Sequence, residues 1–466
     1  MAVITSQNYV DFGTNMGMNT MYYGGNENGD WKDFASDISL QQYHRNVDHK
    51  YIRAWIRDLW YADSTFPLNS DGSYSWGNMD EMFDAVVAVG AKPIVLFAHG
   101  DVCGGSGESP APFDFSNCEA FGTVPPSNFN TFADYVGIVT QHLVNRYSYS
   151  EVNTWYFEIM NEPFGFSNFN PDYYNLYNLA EPRIKAIVPN AKVGGYTYNG
   201  VAQALANCDY DFIDLHLYPN NLANIQNDQD RMDATTLIYD RIVSTKQEAG
   251  SVEVISGEYN IDVAVEPYND GQREFYGSWM VSALINEIKA GADMEMVYQA
   301  TCGYPGSAGC MGLWHTDGTT FDNYRKKKRF TEINPRGSTI YDDGTTNDFD
   351  ILAVSNTDGN FITIVNMQNS NQNMDLQVTN INADELVNLE TDEIHTITNE
   401  LVDLNFAAYE VKFLQVQSDI VCNTAADTDC DGVVDRNELG TYGQRWINGL
   451  VTRTELGLAG QAWAGG

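Results

Sequence analysis

From the start of the chain to about residue 330, short apolar runs rich in β-branched and aromatic residues alternate with longer amphipathic stretches, the pattern of repeated strand-helix units. Eight runs read as strands: Val10–Gly17, Lys50–Ile56, Lys92–Ala98, Thr154–Asn161, Ala191–Asn199, Asp211–Tyr218, Val252–Tyr259 and Met294–Ala300. Helical spacing fills the intervals, as over Met79–Gly90, Asn130–Tyr147, Asp172–Val188, Ala234–Gly250 and Gln272–Ala290. This predicts an α/β fold, a (β/α)8 TIM barrel over residues 1–334, with its chemistry in the loops that follow the strand C-termini.

Past Ser338 the helical period disappears. Runs such as Asp350-Ile351-Leu352-Ala353-Val354 and Phe361-Ile362-Thr363-Ile364-Val365, separated by Asn, Asp and Gly clusters, predict a small accessory β-sandwich over residues 335–418. Residues 419–466 carry an internal repeat, in which the segment from Gly432 to Trp446 aligns with that from Gly449 to Trp463, and predict a small helical module. Within it, Asp427, Asp429 and Asp431 are spaced as EF-hand side-chain ligands, Gly432 supplies the sharp turn, Val433 offers its carbonyl and Glu438 a bidentate carboxylate. One structural Ca2+ is expected, because the second repeat keeps Glu455 but lacks the aspartates. The module resembles dockerins, which implies a docking or cell-surface partner, with a simple cap on the enzyme as the alternative.

Charge narrows the partners. A formal net charge of −38 disfavours nucleic acid and anionic membranes, and no apolar run is long enough to span a bilayer. The basic run Arg325-Lys326-Lys327-Lys328-Arg329 reads chiefly as a solvated or internally neutralised helix face. Of the seven cysteines, Cys103 and Cys118, Cys302 and Cys310, and Cys422 and Cys430 lie close in sequence, leaving Cys208 over. Such pairs read as disulfide-stapled loops of a secreted protein whose signal segment has been removed; reduced structural thiols are the alternative. No zinc-type spacing, dinucleotide-binding glycine motif or Gly-x-Ser-x-Gly elbow occurs, so catalysis is expected to need no cofactor.

Two carboxylates carry the candidate chemistry. The run from Thr154 to Ile159 leads through Met160 and Asn161 to Glu162 and Pro163, at the mouth of the fourth strand; the run from Val252 leads to Glu258 on the seventh. Across a closed barrel these mouths face each other, which allows the separation of about 5 Å at which one carboxyl serves as acid/base and the other as nucleophile of a retaining glycosidase. Glu158, two residues before Met160, reads as a packing or ion-pairing residue.

With Phe157-Glu158-Ile159-Met160-Asn161-Glu162-Pro163, Val193-Gly194-Gly195 and Asp211-Phe212-Ile213-Asp214-Leu215-His216-Leu217-Tyr218 in this order, the chain resembles clan A glycoside hydrolases, and family 39 in particular. The resemblance implies Glu162 as acid/base, Glu258 as nucleophile and Asn161 as partner of the sugar 2-hydroxyl. It implies Arg53, His216 and Tyr218 as groups that orient or polarise the nucleophile, and β-xylosides from plant or algal polysaccharide or oligosaccharide as substrate. At the seventh strand, Gly257-Glu258-Tyr259-Asn260 departs from the family's usual Thr-Glu-Phe. Trp60, Tyr61, Trp76, Tyr298 and Trp314 are candidates for stacking on sugar rings or for the core, and His99 for a sugar hydroxyl or a loop cap. Alternative functions are endo-hydrolysis of a marine galactan (agar or carrageenan type) and a non-catalytic carbohydrate-binding or adhesive surface protein; the presence of both glutamates disfavours the latter.

Overall fold

A computed structural model describes residues 2–417 except 12–14, 20–30, 57–64, 70–71, 98–124, 127, 164–165, 167–168, 198–199, 220–224, 226, 262–272, 299–300, 303–311, 316–317, 336–337, 343–345, 347 and 379–382; beyond 417 it describes Leu439 alone. The calcium loop, His99, Trp60, Tyr61 and the three expected disulfide pairs therefore lie outside the described side chains, whereas Cys208 is a buried free thiol.

Strand β1 (Ala2–Asp11) precedes the barrel, which consists of β2 (Asn15–Asn19), β3 (Tyr51–Trp55), β4 (Lys92–Phe97), β5 (Tyr156–Ile159), β6 (Lys192–Tyr196), β7 (Phe212–Leu217), β8 (Glu253–Tyr259) and β9 (Met294–Tyr298). Each barrel strand pairs in parallel with the next, and β2 closes the ring on β9 with Asn15 opposite Met294 and Asn19 opposite Tyr298. Around it run α1 (Trp31–Ser36), α2 (Ile38–Asn46), α3 (Gly77–Ala88), α4 (Phe129–Tyr147), α5 (Tyr149–Val152), α6 (Phe169–Lys185), α7 (Val201–Asn207), α8 (Asp228–Asp233), α9 (Thr235–Ala249), α10 (Arg273–Ala290) and α11 (Asp322–Ile333). Asparagines start two of them: Asn128 accepts from the Thr131 N–H at 3.1 Å ahead of α4, and Asn227 from the Asp230 N–H at 3.1 Å ahead of α8. Among the described residues, no helix is long and apolar enough to cross a membrane.

After the two-residue strands β10 (Thr301–Cys302) and β11 (Trp314–His315), the accessory unit comprises β12 (Thr339–Asp342), β13 (Phe349–Asn356), β14 (Gly359–Asn366), β15 (Gln372–Val378), β16 (Glu385–Asn388), β17 (Ile394–Thr396), β18 (Leu401–Phe406) and β19 (Val411–Gln417). The sequence reading places its start at residue 335, yet β1 is integral to it. Residues Ala2 to Ile4 pair in parallel with β15, while Thr5 to Asp11 pair antiparallel with β12 through two irregularities of register. Such irregularities bend a strand, which lets one segment serve both layers. Between the layers lie Ile351, Ile362 and Ile364 from one side and Leu376, Val402 and Leu404 from the other, all buried. The predicted first strand, Val10–Gly17, straddles β1 and β2, because its local pattern cannot show that the chain changes partners between them.

α10 joins the two units. It is buried on nearly every side, as its near-uniform apolar surface requires. Ser282 and Asn286 on this helix donate to Asp350 of β13, and Phe275 meets Tyr409 edge to face.

Side chains fill the barrel lumen in layers. Ile94, Tyr156, Phe212, Ile255, Met294 and Met296 form a buried apolar plug. Two residues beyond Tyr51, which packs against the plug, and beyond Tyr156 and Phe212 stand Arg53, Glu158 and Asp214, all fully buried. The strand period of two thus turns an apolar floor into a charged tier, with the mouth above it.

Candidate active site

The two candidate carboxylates reach the mouth by different backbone devices. On β5, strict alternation would aim Glu158, Met160 and Glu162 at one face. Met160 and Glu162 instead adopt left-handed φ values of 66° and 34°, a costly backbone for non-glycine residues and one found where a site demands it. Met160 packs in the outer core, and the neighbours Asn161 and Glu162 both turn to polar groups of the mouth.

On β8, Ile255 points into the lumen, so a regular strand would turn Glu258 outward. Register breaks after Ser256: Leu215 pairs with Ser256, but His216 pairs with Glu258. This one-residue bulge at Gly257 reverses the alternation and brings Glu258 inside. Asp214 Oδ1 accepts the Gly257 N–H at 2.8 Å, and a Cβ at residue 257 would lie 2.1 Å from that same oxygen, so glycine is required there by space. The departure Gly257-Glu258-Tyr259-Asn260 noted in the sequence is thus the bulge that presents Glu258.

Arg53 organises the charged tier. Its Nε and Nη2 donate to Glu158 Oε2 and Oε1 at 2.6 and 2.8 Å, its Nη1 donates to Glu258 Oε1 at 2.8 Å, and Nη2 also donates to Asn161 Oδ1 at 2.9 Å. Asp214 Oδ2 lies 3.5 Å from Nη2. Burial opposes the charge on Arg53, but Glu158, Asp214 and Glu258 together hold it more firmly protonated than in water. For Glu158, burial and the adjacent Asp214 outweigh the pull of Arg53 and push the carboxyl up to about 8.

Above this tier, Tyr218 donates its hydroxyl to Glu258 Oε2 at 2.8 Å. His216 Nδ1 lies 2.7 Å from Glu162 Oε1 and 3.5 Å from Glu258 Oε2, with Nε2 3.4 Å from Asp214 Oδ2. Burial disfavours the charged ring, yet Glu258, Glu162 and Asp214 raise its pKa well above the ordinary histidine value. In turn, burial pushes Glu162 up but the facing His216 prevails and holds it below the usual carboxylate range. These opposite directions favour a proton on the imidazole over one on Glu162. Oxygen atoms of Glu162 and Glu258 and a nitrogen of His216 all lie within 4.8 Å of one another. Glu162 retains 27% side-chain exposure and faces the opening, against 6% for Glu258.

Arg53, Asn161, Glu162, His216, Tyr218 and Glu258 therefore converge as the sequence suggested. Tyr298 stands beside them, its ring edge-on to Tyr218 at 6.2 Å. Trp314 does not join them: it is fully buried, packed between Tyr43, His44 and Tyr324. A loop tryptophan has the same local sequence whether it lines a subsite or seals a helix against the barrel. Trp76 stacks between Tyr74 and His142 on the helical layer. Asp214 was missed, although Asp214, His216 and Tyr218 fall at strand period two and therefore share the lumen face.

The model of glycosyl hydrolases family 39 matches residues 19–295, more than half of the chain: β3 to β8 whole, the last residue of β2 and the first two of β9. The chain belongs to this family. It is accordingly a retaining glycoside hydrolase acting on a carbohydrate. A beta-xylosidase of Caldicellulosiruptor saccharolyticus is 24% identical over 362 residues, covering 70% of either chain, and one of Geobacillus stearothermophilus is 29% identical over 127 residues, covering 26% of this chain and 24% of its own. Among solved structures, a monomeric beta-xylosidase from Caulobacter crescentus CB15 superposes with a TM-score of 0.65 at 16% identity, over 90% of this chain and 99% of its own. At that identity the likeness speaks for the fold: a family 39 barrel with its accessory sheets.

Proposed function

We propose that Glu162 is the general acid/base and Glu258 the nucleophile of a double displacement on β-xylosides derived from plant or algal polysaccharide or oligosaccharide. One observation carries the pair: their carboxylate oxygens approach within 4.8 Å at the mouths of opposite strands. This spacing suits direct attack by one carboxylate on the anomeric carbon and leaves no room for a water between them. Arg53 and Tyr218 donate to different oxygens of Glu258, which fixes its orientation before substrate arrives. Glu162 gives a proton to the leaving oxygen as Glu258 bonds to the anomeric carbon. It then takes a proton from the water whose oxygen breaks the glycosyl ester. The family membership and the beta-xylosidases among the relatives support the xyloside.

Hydrolysis of a panel of aryl β-glycosides and polysaccharides by wild type and by Glu258→Ala tests this reading. The variant should lose about 10⁴- to 10⁶-fold in kcat, and added azide should restore turnover with an α-glycosyl azide as product. Retention of activity in Glu258→Ala would refute the assignment, and a preference for galactans would replace the xyloside.

The same reading includes a secreted protein and a C-terminal module binding one Ca2+ through Asp427, Asp429, Asp431, Val433 and Glu438. Metal analysis of the whole chain, with one calcium expected, is its check.

A further inference from the structure

We propose that Asp214 is a positioning residue that makes His216 the holder of the catalytic proton, so that Glu162 receives its proton from His216 Nδ1 when substrate binds. This rests on the reading of Glu162 as acid/base.

The geometry comes from the lumen face of β7. Asp214 Oδ1 is engaged by the Gly257 N–H at 2.8 Å, which fixes the carboxylate and leaves Oδ2 facing His216 Nε2 at 3.4 Å and Arg53 Nη2 at 3.5 Å. Glu158 shares this pocket with Asp214 and His216, and the Asp214 and His216 side chains are sealed from water, at 0% and 2% exposure. A carboxylate at Nε2 keeps that nitrogen protonated and turns Nδ1 toward the mouth. There it meets Glu162 Oε1 at 2.7 Å and Glu258 Oε2 at 3.5 Å. The groups around the ring are Arg53 from β3, Glu158 from β5 and Glu162 beyond it, Tyr196 from β6, Asp214 and Tyr218 from β7, and Glu258 from β8. Carboxylates predominate, so the ring is the site where a proton rests most stably, and Glu162 in the free enzyme is the conjugate base.

Substrate alters this balance by placing the glycosidic oxygen against Glu162. The proton passes from Nδ1 to Glu162 and on to that oxygen as the bond to the anomeric carbon breaks and the bond to Glu258 forms. In the second half-reaction Glu162 takes a proton from water, whose oxygen displaces Glu258 from the sugar. Glu162 then returns the proton to Nδ1, so the cycle closes with no net change on the enzyme.

The test is Asp214→Asn, which keeps the shape and an acceptor for Gly257 but removes the charge at Nε2. Because the shared proton is lost as pH rises, a weaker hold on it moves the alkaline limb of kcat/KM to lower pH, by about one to three units. In kcat/KM, which reads the first half-reaction alone, a phenyl glycoside, which needs the proton, should lose roughly 10²- to 10⁴-fold, whereas a dinitrophenyl glycoside, whose leaving group needs none, should stay within about tenfold. An unmoved limb, or equal loss on both substrates, would mean that Asp214 is merely structural and overturn the inference. Nitrogen NMR of the wild-type His216 ring near pH ~7 reads the same point without a variant or turnover. A doubly protonated ring supports the inference and a neutral one sinks it. Since the NMR result does not depend on catalysis, it is separable from failure of azide rescue in Glu258→Ala, which would remove the underlying roles instead.

Discussion

Arg53 in the lumen and Lys327 of α11, against the outside of the barrel, are both fully buried and both face carboxylates, yet the two regions neutralise them differently. Arg53 spreads its donors over Glu158, Glu258 and Asn161, with Asp214 close by. Lys327 binds one oxygen of Glu295 at 2.7 Å. Glu287 of α10 lies beside this pair, and burial, followed by repulsion from Glu295, pushes its carboxyl well above the ordinary value. A planar fork can orient several carboxylates at once, whereas an ammonium is a point charge. Both clusters hold one carboxyl whose pKa is raised, Glu158 in the lumen and Glu287 outside. The difference lies in the fork: chemistry sits where one cation's fixed donors orient several partners, and packing suffices where a point charge meets one.

Substituting each cation separates these roles. Lys327→Met leaves Glu295 buried without its cation and should cost about 3–5 kcal/mol of stability, while kcat of the folded fraction stays at the wild-type level; urea unfolding and active-site titration check both halves. Arg53→Lys keeps the charge but cannot reach Glu158, Asn161 and Glu258 together, and should lower kcat/KM by roughly 10²- to 10³-fold with a smaller loss of stability. If the two variants instead behaved alike, the contrast between a working and a packing cation would fail. Glu287→Gln is the mildest. A carboxyl whose folded pKa is raised contributes its full stability below the unfolded value of 4.5 and loses it as pH rises toward the folded value. Thermal unfolding of this variant should therefore match wild type in acid and gain on it steadily above that pH. A constant difference at every pH would show that Glu287 is ionised in the fold.

Much of this was legible in the sequence because barrel strands are local signals. Seven of the eight predicted strands each correspond to one observed strand, the first straddling β1 and β2; Glu162 and Glu258 could be located by their place at strand ends, and Arg53, Asn161, His216 and Tyr218 through the resemblance to family 39. What escaped depends on partners distant in sequence. The inward turn of Glu258 needs a bulge that only pairing with β7 defines, and the Asp214 contact with Gly257 joins two strands. Of the two readings left open for Trp314, the core is the one realised, because burial by α2 and α11 leaves no local trace. The basic run on α11 proved to be internally neutralised: Lys326 meets Asp322, Lys327 meets Glu295, and Lys328 and Arg329 meet Glu332.

β1 has a consequence for how the chain reaches its native state. Ile4 pairs with Val378 and Asp11 with Thr339, so the sandwich is stitched by a segment synthesised before the barrel to strands synthesised after it. As the chain leaves the ribosome, β1 must wait through the whole barrel for its partners, so this unit can close only after β12 and β15 have emerged. Until then the edge of β1 is unpaired and open to other chains.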